Sequence, residues 1–179
     1  MALTRDRARE CIERGLVEAR ALGFNVAIAV VDDAGHLIGG DRMDGALWVT
    51  PEIARAKANA AAAFQATTRD LEERFGKRQL FADNVATLGD YRFVFGRGAV
   101  PLVEDGRIVG AVGVSGAVPA DNDHSIADAA ASDVQWRACS SRSRCIGTNW
   151  ASGSPSPSPG VSRPPDVPRT RRSPASWTS

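Results

Sequence analysis

Early in the chain, apolar side chains fall at Ala8, Cys11, Ile12, Leu16, Ala19 and Leu22, steps of three and four that gather on one face of a helix. Thr4 is placed to cap its start and Gly23 to end it. Residues 25–32 are apolar almost without interruption and rich in β-branched side chains, the pattern of a central strand covered on both faces. A turn at Asp33-Ala34-Gly35 then returns the chain through 36–42 as the second strand of a hairpin, which Gly39 and Gly40 weaken.

Thr50-Pro51-Glu52 combines a cap residue, a proline suited to the first helical position and an acid for the positive end of a helix. The alanine-rich run 53–73 follows as one long helix whose small side chains allow a sheet or another subunit to come close. Leu80, Phe81, Val85 and Leu88 suggest a short helix, and residues 91–95 a short strand. Residues 98–103 and 107–114 flank Glu104-Asp105-Gly106, where Asp-Gly supplies the positive φ angles of a tight turn. Asp121 or Asp123 caps a last helix that runs to Ala131. Two hairpins interleaved with helices, without a crossover helix after every strand, predict an α+β fold: an antiparallel sheet flanked by helices.

The 179 residues include 22 Lys and Arg and 21 Asp and Glu, a formal charge of +1 that conceals a division. Residues 1–136 hold 15 basic and 20 acidic side chains, net −5, whereas 137–179 hold seven Arg and only Asp166, net +6. A first segment of that length makes one ordinary domain, so a domain at 1–136 and a tail at 137–179 are expected. From 151 onward the tail carries eight Ser and seven of the ten Pro, a composition that cannot bury enough apolar surface to become ordered. The change at 132–136 is as abrupt as a shift of reading frame would make it.

Charge also narrows the partners. The tail arginines lack the aromatic interleaving of a nucleic-acid binder, and the negative domain disfavours nucleic acid as well. No apolar run approaches the ~18 residues of a membrane helix, and the charged N-terminus reads as cytoplasmic. Cys11, Cys139 and Cys145 form no disulfide framework, and the five-residue gap between the last two is not that of a zinc pair, so no metal site is expected.

Several segments, in order, resemble one family: Val30-Val31-Asp32-Asp33-Ala34-Gly35-His36-Leu37, Arg42-Met43-Asp44-Gly45-Ala46, Ala56-Lys57-Ala58 with Phe64 and Thr68, Val100-Pro101-Leu102, and the run 110–117. They are similar to the GlcG/HbpS family, which includes the C-terminal domain of PduO-type proteins. The resemblance spans about residues 3–131 and implies a single profilin-like sandwich, assembly into homo-oligomers, and heme or another tetrapyrrole as the ligand of several members. In the family pattern a lysine is followed three and eleven residues later by threonines. Lys57 and Thr68 match, which makes Thr68 a cofactor-contact candidate, but Ala60 stands at the first threonine position.

Lys57 lies in an apolar helical stretch, where a buried charge must be paired or shift its pKa. Facing a pocket it would hold a heme propionate or a substrate carboxylate, or transfer a proton in an enzyme; facing inward it would pair with Asp32 or Glu52. Asp32 either contacts the ligand or accepts turn N–H groups. Arg42 either clamps a carboxylate or pairs with Asp41 or Asp44. His36 and His124 are the two histidines and the candidates for heme iron, both read as exposed, with Met43 and Tyr91 as weaker alternatives.

Gly110, Gly113 and Gly116 form no dinucleotide fingerprint, since a crossover unit is missing; they permit close approach of a helix or ligand. Ser115-Gly116 before a helix start offers N–H donors to an anion. No Ser/His/Asp set, paired catalytic carboxylates or activated cysteine can be placed by spacing. The expected function is therefore a cytoplasmic, oligomeric heme- or tetrapyrrole-binding protein. The alternative is an enzyme or accessory factor for a small hydroxy or keto acid, held by Lys57, Arg42 and Ser115-Gly116.

Overall fold

In a computed structural model, residues 3–86, 88 and 92–132 are described. The apolar run of the first half becomes β1 (Ala27–Asp32), which lies inside the sheet between β2 (Leu37–Arg42) and β4 (Arg107–Ser115), with β3 (Ala99–Glu104) beyond β4. Every pairing is antiparallel. Asp105 and Gly106, at φ 49° and 75°, make the tight β3–β4 turn that Asp-Gly foretold. The α+β architecture expected from the hairpin and helix order is thus present.

Strand alternation sends the larger side chains to one face and the small ones to the other. Ile28, Val30, Val100, Leu102, Val112 and Val114 pack with the apolar stripes of α1 (Arg5–Leu22) and α5 (Ala120–Ala131). Val31, Ala99 and Ala111 pack on the other face with Ala58, Ala61 and Ala62 of α2 (Thr50–Phe64). Small residues on both sides let α2 lie directly on the strands. A Cβ built on Gly113 would fall 2.1 Å from the Ala54 carbonyl oxygen and 2.8 Å from the Ala58 nitrogen.

Four local expectations change. The run 53–73 is not one helix, because α2 ends at Gln65 in the left-handed region and a new helix, α3 (Thr68–Phe75), starts under a Thr67 cap that accepts from the Asp70 N–H. The break turns Leu71 and Phe75 back onto Ala60, so tertiary burial overrides helix propensity. Thr50 lies inside α2, which has Val49 as its N-cap, and its hydroxyl donates to the Leu47 carbonyl at 2.7 Å. Neither Asp121 nor Asp123 caps α5; Pro119 holds that position and both acids sit in the first turn.

The short helix around Leu80 exists as α4 (Gln79–Val85), but residues 92–95 form no strand. Phe93 and Phe95 instead join Phe64, Phe75 and Phe81, with the Phe64 ring edge-on to three of its neighbours at 5.4 to 5.9 Å. Cys11 is buried, and burial pushes its thiol up to about 12. No helix among the described residues is long and apolar enough to cross a membrane. Tyr91, Cys139, Cys145 and the Ser/Pro/Arg segment lie outside the described residues.

Candidate functional site

Lys57 and Asp123 each occupy a place that the helix pattern reserves for apolar side chains. Lys57 shares the sheet-facing stripe of α2 with Ala54, Ala58 and Ala61, and Asp123 shares the buried stripe of α5 with Ile126, Ala127 and Ala130. The two meet. The Lys57 Nζ donates to Asp123 Oδ2 at 2.8 Å and to the Val114 carbonyl at 3.0 Å, while Asp123 Oδ1 accepts from the Ala117 N–H at 2.8 Å. Burial pushes the Asp123 carboxyl above its ordinary range, against the pull of Lys57 and of the Ala117 and Gly116 N–H groups. Gly98 closes the pair from outside at φ 125°; a Cβ there would lie 2.9 Å from Lys57 Nζ and 2.8 Å from the Asp123 Cβ.

Thr68, fully buried, ties the next residue of this wall, its Oγ1 accepting from the Ala99 N–H at 2.8 Å. His124, beside Asp123 on α5, is also buried, which corrects the expectation of an exposed ring. Its Nε2 lies 3.6 Å from Asp128 Oδ2, and its Nδ1 finds no hydrogen-bond partner among the described residues. Flanking residues of the same elements form an ionic layer. Arg97 bridges Asp121 of α5 at 2.6 Å and Glu72 of α3 at 3.4 Å, and Arg69 reaches Asp121 at 3.6 Å.

Desolvation holds the His124 pKa below its ordinary 6.5, helped by Arg69 and Arg97 and opposed by Asp128 and Asp70. The folded state therefore binds this proton less readily than the unfolded chain. Stability is fully present above about pH 6.5 and falls as the pH drops below it. Urea midpoints at about pH 7.5 and about pH 5.5 should show this decline, and His124→Gln should flatten it. An unchanged slope in the variant would assign the decline to other groups.

The remaining candidates lie apart from this cluster. Asp32 pairs with Gly110 whereas Ala27 pairs with Ser115, which puts Asp32 and His36 about 17 Å along the strands from the Ser115 end. There Asp32 Oδ1 accepts the Ala34 and His36 N–H groups, and Oδ2 faces His36 Nδ1 at 3.2 Å. Arg42 lies two strands from Ser115, about 10 Å away, and its guanidinium donates to the Ala46 carbonyl at 2.7 Å. Lys57 thus pairs with Asp123, not with Asp32 or Glu52, and the Gly116 and Ala117 amides serve the chain's own carboxylate. Lys57, Arg42 and Ser115-Gly116 do not converge on one open anion pocket.

The model of a protein family described as haem degrading protein HbpS-like matches residues 3–132. The chain belongs to the HbpS-like family. Among its relatives, the GlcG protein of Escherichia coli K12 is 36% identical over 113 residues, 63% of this chain and 81% of GlcG. A crystal structure of a double mutant of HbpS from Streptomyces reticuli superposes with a TM-score of 0.67 at 29% identity, covering 74% of this HbpS-like chain and 87% of that one. A crystal structure titled as a PduOC:heme complex gives 0.66 at 27% identity, covering 74% and 94%.

Proposed function

We propose that this protein binds heme or a related tetrapyrrole. The observation that carries the reading is the likeness to the PduOC:heme complex across nearly all of that chain, within a family described by its action on haem. The chain's own donors support it at one of the two histidines. His36 stands on the surface with its side chain 68% exposed and the Asp32 carboxylate 3.2 Å from its Nδ1, the arrangement that orients an iron-binding imidazole. His124 is buried, and Lys57 and Thr68 already have partners inside the fold. These three hold the scaffold, while Asp32 and His36 face the ligand.

A bound heme would supply the iron chemistry; the chain supplies the imidazole and its carboxylate support. The small-acid alternative loses ground, since Asp123 fills the cradle formed by Lys57 and the two amides. Hemin added to the pure protein is expected to give a shifted, saturable Soret band. His36→Ala should remove the imidazole signature, and Asp32→Asn should weaken hemin binding by about 10- to 100-fold. Absence of a saturable shift in the parent protein would defeat the heme reading, whereas a His36→Ala variant with the parent spectrum would defeat only the ligand assignment.

A further inference from the structure

Two contacts fix the course of α1 over the sheet. A Cβ built on Gly110 would fall 2.9 Å from Leu3 Cδ2, and one built on Gly39 would fall 3.3 Å from Ile12 Cδ1. Gly110 pairs with Asp32, so α1 starts level with Asp32 and His36 and slants from there toward β2. Asp32 shares a strand face with Ile28 and Val30, which pack on α1. The buried stripe of α1 is Ala8, Cys11, Ile12, Gly15, Leu16 and Ala19. At 3.6 residues per turn, the flank beside Ile12 and Leu16 carries Arg5, Arg9 and Arg20. Leu16 and Arg20 line a depression with Asp41, Arg42, Met43 and Asp44, so this flank faces β2. Arg7 and Arg14 occupy the other flank, engaged with Glu104 and the Ala130 carbonyl.

We propose that Arg5 and Arg9 select a tetrapyrrole by its two free propionates. The inference rests on the heme reading above, with the iron at His36. Both arginines are exposed, and neither has an ion pair among the described residues. One helical turn apart, their side chains are neighbours at the end of α1 that stands level with His36. Heme carries its propionates side by side on one edge of the macrocycle, and each guanidinium fork suits one carboxylate. Charge makes the pair necessary. Residues 1–136 are net −5 and repel a dianion unless cations stand at the site itself. The acids nearest the pair, Asp6, Glu10 and Glu13, lie farther round the helix, on the outward face that Arg9 also borders. An esterified macrocycle offers these guanidinium groups no carboxylate, so the pair governs which tetrapyrrole binds and leaves the iron bond to His36.

Titrating the full chain with hemin and with hemin dimethyl ester, in the same dilute organic co-solvent, tests the assignment through the Soret band. Arg5→Gln combined with Arg9→Gln should raise the hemin dissociation constant about tenfold and keep the imidazole signature. The ester should bind parent and double variant alike. Added salt should weaken hemin binding by the parent more than ester binding, because exposed charges are screened. Arg20→Gln is the control, on the same flank but eleven residues and about 16 Å beyond Arg9, and should bind hemin as the parent does. A double variant that holds hemin as tightly as the parent, or that loses hemin and ester equally, would overturn the proposal and leave the heme reading standing. A parent protein without saturable hemin binding would remove both.

Discussion

Asp123→Asn is expected to lower the stability of the fold by about 3–5 kcal/mol, the range for removing one partner of a buried ion pair. The side chains of Lys57 and Asp123 are 6% and 5% exposed, so the ammonium left behind has little water to turn to. Asparagine keeps the shape and an acceptor for the Ala117 N–H, which isolates the lost charge as the cause. Urea unfolding followed by circular dichroism measures the change. Replacing both partners, Lys57→Met with Asp123→Leu, should recover a large part of it, because an apolar pair of similar volume is often as stable as a buried salt bridge. Recovery stays incomplete, since the Ala117 N–H then lacks its acceptor. The double-mutant cycle reports the coupling directly; an Asp123→Asn variant within about 0.5 kcal/mol of the parent would show the pair to be solvated.

The pair also marks where sequence reading stops. Apolar patterning suffices to place α1, β1, β3 and β4, because these elements bury a continuous face, whereas the exposed or half-buried β2 is legible only from the Asp33-Ala34-Gly35 turn before it. Lys57 and Asp123 each violate such a face, and an acid and a base both lodged on buried stripes have one inexpensive solution, which is to meet. That signal lies in the spacing of 54, 57, 58 and 61 and of 123, 126, 127 and 130. The ionic layer is harder to foresee. Arg69, Glu72, Arg97 and Asp121 come from three separated segments and read as ordinary solvated charges until the sheet brings the start of β3 beside α3 and α5. The break at Gln65 is equally hidden, since nothing in an alanine run opposes a longer helix and only the burial of Leu71 and Phe75 against Ala60 requires the turn.

Gly113→Ala is expected to be as damaging as the loss of Asp123, by about 3 kcal/mol or more, at or above the upper end for an added methyl group in a packed core. The usual escape is closed. The new Cβ would meet the Ala54 carbonyl oxygen at 2.1 Å and the Ala58 nitrogen at 2.8 Å, and both belong to the backbone of α2. No rotamer change relieves that contact, so the helix must lift from the strands. Lys57 lies between those two residues, and its bonds to Val114 and Asp123 lengthen with the same movement. Trimming Ala54 or Ala58 to glycine should therefore fail to rescue the variant, because the obstructing atoms remain. Gly39→Ala is the control, since its Cβ would meet the movable Ile12 Cδ1 at 3.3 Å, and its effect should stay below about 1 kcal/mol. Equal thermal midpoints for the two variants would show that α2 does not depend on backbone contact with β4, and the close-approach explanation of Gly113 would fail.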